Sequence, residues 1–233
     1  MRTILLTVLS TLWIATAHAD IQDIFPNLVE TQSIGDSTSV GIDPSLLTFS
    51  YGADVTVYFI SEGAGYKNSL GWYDASTDPT LAENRNLIWN NASGAGNGLA
   101  GGGTLNSGDS VDLGTFEAGS SLGFYLAADG ANKSNPYYYF TDIGFNPDGI
   151  EHVVAGLLPE EGLLAIGFED LFGGGDMDYN DLIIAIDIGV ENALQIAAAA
   201  PEPEIWLMIL IGLLGLYLKN QQALLINKEP CVS

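Results

Sequence analysis

The residues that could do chemistry crowd into one stretch, Glu169 to Asp181. Glu169 and Asp170 come first, three glycines (Gly173 to Gly175) follow, and Asp176, Asp178, Asn180 and Asp181 close the run. Six oxygen-bearing side chains on one turn repel each other, so a cation or ample hydration must offset them. Calcium suits such a set, because it takes roughly six to eight oxygen ligands from carboxylates, carbonyls and amides. Magnesium demands a tighter octahedron. Zinc is disfavoured, because between residue 20 and the tail there is one histidine, His152, and no cysteine. Asp176, Asp178 and Asn180 imitate the first alternating positions of an EF-hand loop. Asp181 then sits where that loop needs glycine, and apolar strand residues replace its exiting helix, which excludes an EF-hand. In an extended segment the alternation would put Asp176, Asp178 and Asn180 on one side, with Glu169 and Asp170 completing the shell from across the glycines.

Other chemistries compete for the same residues. An acidic turn can cap itself with Asx hydrogen bonds and bind nothing. Glu169 paired with Asp176 or Asp178 has the residue types for glycoside hydrolysis, but crowding on one turn favours chelation over two carboxyls with separated pKa values. Trp72, Tyr73 and Tyr137 to Tyr139 could stack on sugars, although such aromatics more commonly pack in a core or interface. Asp129 and Asp142 read as turn residues, Asp187 as an outward or supporting group, and His152 as a hydrogen-bonded structural histidine. No serine elbow, partnered cysteine nucleophile or HExxH sequence occurs. Three function classes follow: a calcium-binding module, a carbohydrate-binding or carbohydrate-hydrolysing domain, and a packing module with no ligand beyond the ion.

The acidic turn needs two strands to hold it. Leu163 to Phe168 and Leu182 to Ile188 are apolar runs of strand length, so the region reads as a β-hairpin with a long loop. Upstream, Ala53 to Ile60 alternates, with Val55, Val57 and Phe59 on one face. Gly63 to Tyr73 begins as a turn and ends as a short strand, and further strand candidates lie at Asn86 to Trp89, Ser110 to Phe116, Leu122 to Ala127, Tyr137 to Asp142 and Glu151 to Val154. Gly/Ser/Asn stretches and the Asn146-Pro-Asp-Gly149 turn separate them. Eight or nine short strands, with no amphipathic helix before residue 195, predict an all-β antiparallel β-sandwich. A jelly-roll order is compatible with the same spacing. Residues 20–49 read as an irregular lead-in, 50–192 as the β domain and 193–200 as a linker.

Charge narrows the partners. The chain of 233 residues carries a formal net charge of -23, and between residues 20 and 200 three bases face 26 acids. Such a surface repels nucleic acid and anionic headgroups and suits divalent cations. Met1 to Ala19 has a basic start, an apolar run and a small-x-small site, so it reads as a signal peptide cleaved between Ala19 and Asp20. An exported domain follows from that reading. Its single cysteine, Cys231, leaves the folded region without a disulfide, so the core must hold it, with a metal as a further available tie. Near the other end, Ile205 to Leu218 is a continuous apolar run, short against the roughly 20 residues that a spanning helix uses.

Pro201, Glu202 and Pro203, the apolar run after them and the N-terminal leader together resemble the PEP-CTERM sorting signal of exported bacterial proteins. Lys219 and Lys228 stand where that signal has a dense arginine cluster. The resemblance implies residues 201–220 as sorting signal and hydrophobic helix, 221–233 as tail, and an exosortase-type membrane protease-transferase as partner. It further implies inner-membrane anchoring before processing and delivery to the cell surface or extracellular matrix, where an exopolysaccharide or a surface protein would be met. The β domain resembles the DUF4114 family. The similarity rests on Val57-Tyr-Phe-Ile-Ser-Glu-Gly-Ala-Gly-Tyr-Lys-Asn-Ser-Leu-Gly-Trp-Tyr73, Leu122 to Gly130, Asn146-Pro-Asp-Gly149, His152, Ile166 to Leu171 and Asp176-Met-Asp-Tyr-Asn-Asp181, about residues 50–190. It implies a non-catalytic, calcium-dependent β module with an adhesive or structural role.

Overall fold

The computed structural model describes residues 40–43, 45, 47–95 and 102–199. The chain divides into two units, residues 1–197 and 198–233. Among the described residues the first contains ten strands: β1 (Val40–Ile42), β2 (Ala53–Ser61), β3 (Ser69–Asp74), β4 (Arg85–Trp89), β5 (Ser110–Phe116), β6 (Leu122–Ala127), β7 (Tyr138–Phe140), β8 (Val153–Leu158), β9 (Leu163–Phe168) and β10 (Leu182–Asp187). A helix, α1 (Val190–Ala199), follows them. All pairings between these strands are antiparallel. One sheet has the order β1-β8-β9-β10-β2-β5 and the other the order β4-β3-β6-β7.

Period-two alternation explains how the sheets meet. Val55, Val57 and Phe59 of β2 point into a shared core with Leu164, Ile166 and Phe168 of β9 and Leu182, Ile184 and Ile186 of β10. Leu70 of β3 and Leu122, Phe124 and Leu126 of β6 enter the same core from the second sheet. Phe59 meets Trp89 edge-on at 6.3 Å, and Trp72 meets Phe116 at 5.4 Å, so aromatic contacts also bridge the two layers. Two sheets that bury one common apolar layer form a β-sandwich. The consecutive β8-β9-β10 meander lies inside the larger sheet, and this order is not that of a jelly roll.

The outer face of the smaller sheet is aromatic. Tyr73, Tyr125 and Phe140 are buried together there. Register pairs Gly71 with Tyr125 and Tyr73 with Gly123, so each ring lies over a glycine on the neighbouring strand. A Cβ on Gly71 would stand 2.3 Å from Tyr125 Cζ, and one on Gly123 would stand 2.2 Å from Tyr73 Cζ. The glycines are therefore part of the packing. Arg85 completes this face, with its guanidinium 4.0 Å from the Tyr138 ring centre.

Several expectations need correction. The lead-in is not wholly irregular: β1 pairs with β8, and Leu47 and Phe49 are core residues. The span expected to be a linker, 193–200, is helical through Ala199. Asn192 explains why, since its amide donates to the carbonyls of Tyr51 and Ile188 and accepts the Tyr51 N–H, while Ala193 is fully buried. The fold class also changes in its helical part. No helix among the described residues is long and apolar enough to cross a membrane, and α1 has only 10 residues, with Glu191, Asn192 and Gln195 among them. The expected C-terminal hydrophobic helix, and with it the passage through a membrane, inner-membrane anchoring and an exosortase partner, thus has no counterpart among the described residues. Those expectations, and the surface or matrix location built on them, are not carried further. The stretches 1–19 and 205–218, with Ala19, Asp20, Pro201, Glu202 and Pro203, lie outside the described residues.

The ring-over-glycine pairs yield a stability prediction. Gly123→Ala forces the Tyr73 ring out of place in a filled layer, a change that costs about 1–3 kcal/mol when packing is tight. Urea unfolding of the variant should show a lower midpoint at unchanged slope, and an unchanged midpoint would mean that the ring can move away freely.

Candidate metal centre

The register of β9 and β10 builds the centre. Leu182 is paired with Phe168, the last pair of the ladder. The next residues outward, Asp181 and Glu169, are carried past that pair on opposite strands. The Asp170 N–H donates to Asp181 Oδ2 at 2.8 Å and closes the hairpin neck. Glu169, Asp170 and Asp181 thereby offer oxygens that all lie within 4.8 Å of one another. Glu169 is 1% exposed and Asp170 4%.

The loop then folds back over the neck. Gly173, Gly174 and Gly175 have φ values of 86°, 83° and 47°, and Met177 and Tyr179 are also left-handed at 60° and 54°. This departs from the extended segment that would have aligned Asp176, Asp178 and Asn180 by alternation. The turning backbone instead brings Asp176 and Asp178 to Glu169, again with oxygens within 4.8 Å. Gly175 permits the approach, because a Cβ there would lie 2.1 Å from Glu169 Oε1. Asn180 is placed differently. Its backbone and side-chain N–H groups donate to Asp178 at 3.2 and 2.5 Å, so it steadies a carboxylate. Its carbonyl oxygen accepts the Gly63 N–H at 3.1 Å, which ties the loop to the end of β2.

A supporting layer stands behind these acids. Asn68 donates to Asp170 Oδ2 at 2.7 Å and accepts the Asp129 N–H at 2.9 Å. His152 is fully buried and stacked on Tyr139, with ring centres 3.8 Å apart. Its Nδ1 lies 2.9 Å from the Glu169 carbonyl oxygen and its Nε2 3.0 Å from Asp148 Oδ2. Asp148 also accepts the Gly173 N–H at 2.9 Å, so the Asn146-Pro-Asp-Gly149 turn grips the acidic loop. Although burial pushes the Asp148 carboxyl up, these partners hold it below the usual carboxylate range. Spacing around the acidic turn did not single out Asn68, which lies 102 positions from Asp170. His152 has the structural role expected of it. Asp142 caps the short helix Ile143–Phe145, Asp187 accepts the Gly189 N–H, and Asp129 accepts from its own turn. Of the aromatics considered as a sugar platform, Tyr73 and Tyr139 are buried, Trp72 packs against the core, and Tyr137 is 55% exposed beside Phe172.

Electrostatics follow from this geometry. The ion pairs among the described residues are Lys133–Asp129 and His152–Asp148, and neither includes a member of the cluster. Burial first, and then the charge of Asp181, pushes Glu169 up to about 8. Burial pushes Asp170 up to about 7, with the Asn68 hydrogen bond opposing it and Asp181 and Glu62 reinforcing it. Burial also raises Asp181, against the hydrogen bond from the Asp170 N–H. Glu169 Oε2 is buried without a hydrogen-bond partner, since neither carboxylate can donate to the other unless a proton is shared. An all-oxygen donor set, buried at Glu169 and Asp170 and lacking countercharge, fits a hard cation. Glu169, Asp170, Asp176, Asp178 and Asp181 are the residues that could hold one.

A family model described as a domain of unknown function, DUF4114, matches residues 116–189. The match runs from the end of β5 through β10 and contains the whole acidic loop. It ends short of Pro201. No curated protein and no solved structure matches the chain.

The raised carboxyls make metal-free stability depend on pH with a defined sign. A carboxyl whose folded pKa lies above its unfolded value binds more protons in the folded state, so its contribution is full at low pH and is lost as pH rises through the folded value. Glu169, with an ordinary value of 4.5 raised to about 8, sets that window. In chelator, the melting temperature should fall between about pH 5 and pH 8. Glu169→Gln should flatten the decline. A wild-type melting temperature that rises over this window would contradict the assignment.

Proposed function

We propose that the chain is a non-catalytic, calcium-binding β module in which the ion staples the tip of the β9–β10 hairpin, with a structural or adhesive role. One observation carries the reading: Glu169 Oε2 is a buried carboxylate oxygen with no donor, on a carboxyl that lies within 4.8 Å of other carboxylate oxygens. Leaving such a group unsatisfied costs about 1–3 kcal/mol, and more when it is charged. A bound cation removes that cost and the mutual repulsion together. Calcium is favoured over magnesium because the donors are several carboxylates on a turning loop, which suits a larger and less regular shell.

The burial of Glu169 also supports a non-catalytic role. Glycoside hydrolysis uses two carboxyls about 5–5.5 Å or 6.5–9.5 Å apart on either side of a bound sugar. Here three carboxylates converge within 4.8 Å, and the central one is closed off from solvent. Convergence of that kind is suited to holding an ion. The absence of cysteine before residue 231 gives the ion a mechanical purpose, since no disulfide ties the β9–β10 loop to its neighbours.

Calorimetry of the full chain with calcium and with EDTA tests the reading. A ligand at a hundredfold excess over its Kd adds about 2.7 kcal/mol, a rise on the order of 5–10 °C for a domain of this size. Asp176→Ala/Asp178→Ala should reduce that rise, and magnesium should produce less of it. No change in melting temperature, together with no heat on calcium titration, would sink the proposal.

A further inference from the structure

We propose that the acidic loop holds two calcium ions, an inner one and an outer one, with Glu169 as the carboxylate that bridges them. The inference rests on the calcium reading above and extends it to the number and order of the ions. The five carboxylates do not form one cluster. They fall into two sets, Glu169-Asp170-Asp181 and Glu169-Asp176-Asp178, and Glu169 belongs to both. Ligands of a single calcium lie roughly 2.3–2.6 Å from it, so no two of them can be more than about 5 Å apart. Each set satisfies that limit by itself, with its oxygens within 4.8 Å of one another. A carboxylate has two oxygens and can serve two ions, and Glu169 Oε2 is buried with no other partner.

Charge favours the same arrangement. One divalent ion among five ionised carboxylates leaves three negative charges uncompensated beside a buried neck, whereas two ions leave one. The sets also differ in surroundings. The inner carboxylates are steadied by the Asn68 amide and the Asp170 N–H and sit at the closed end of the ladder. Asp176 and Asp178 are exposed on the glycine-rich turn. The inner ion is therefore the tighter, and the outer ion exchanges with solvent and orders residues 171–180.

Native mass spectrometry and calcium titration of the full chain, stripped with EDTA beforehand, test the count. The wild type should take up two ions. Asp176→Ala/Asp178→Ala should take up one, with its affinity within about threefold of the tighter wild-type site, and adding Asp170→Asn/Asp181→Asn should leave none. Asn is isosteric with Asp, and Asp176 and Asp178 are exposed, so circular dichroism should show the fold retained in every variant. A single ion in the wild type, weakened more than tenfold by Asp176→Ala/Asp178→Ala, would overturn the two-ion arrangement while leaving calcium binding intact. No uptake by the wild type would overturn both.

Discussion

Leu182 pairs with Phe168, and that one register governs the region around it. A shift by one residue would turn Ile184 and Ile186 out of the core and carry Asp181 away from Glu169. The register is enforced by burial. Leu164, Ile166 and Phe168 on one strand and Leu182, Ile184 and Ile186 on the other all enter the same apolar layer. The hydrophobic effect thus fixes where the carboxylates stand, although it would never by itself place them together. Their convergence is a cost that the core imposes on the loop.

Several local devices absorb that cost. Glycine at 175 makes room for the Glu169 carboxylate, and the left-handed backbone of Met177 and Tyr179 turns the acids inward. Such conformations cost roughly 1–3 kcal/mol for a residue with a side chain, so the loop depends on the contacts around it. The Gly63 N–H holds it from β2, Asp148 holds it from the turn before β8, and Asn68 holds Asp170 from the start of the smaller sheet. The candidate centre thus draws on both layers of the sandwich. Cation binding at the loop would bear on the stability of the sandwich as a whole.

The core was largely legible from residue order. Period-two alternation marked the inward face of β2, and the apolar runs before and after the acidic loop marked β9 and β10. The helix at Val190–Ala199 was not legible, because its Ala-rich composition has no strong amphipathic pattern. It forms where Asn192 can bond the Tyr51 backbone, a contact across 141 positions that no local signal announces. The short β1 was missed for a related reason. Three residues carry no period, and only pairing with β8 makes them a strand.

Residue types and spacing alone determined that a dense set of oxygen donors sits on a glycine-rich turn between two apolar strands, since composition and periodicity are local properties. Tertiary structure decided which donors meet. Glu169 became the shared member because the ladder ends at Phe168 and because Gly175 lacks a Cβ. Asn180 was turned to support Asp178 by a backbone that curls where alternation alone would have kept it extended. His152, Asp148 and Asn68 joined the site from distant parts of the chain. Burial and proximity are what raise the carboxyl pKa values and leave Glu169 Oε2 without a donor, and both arise only when the two sheets close on each other.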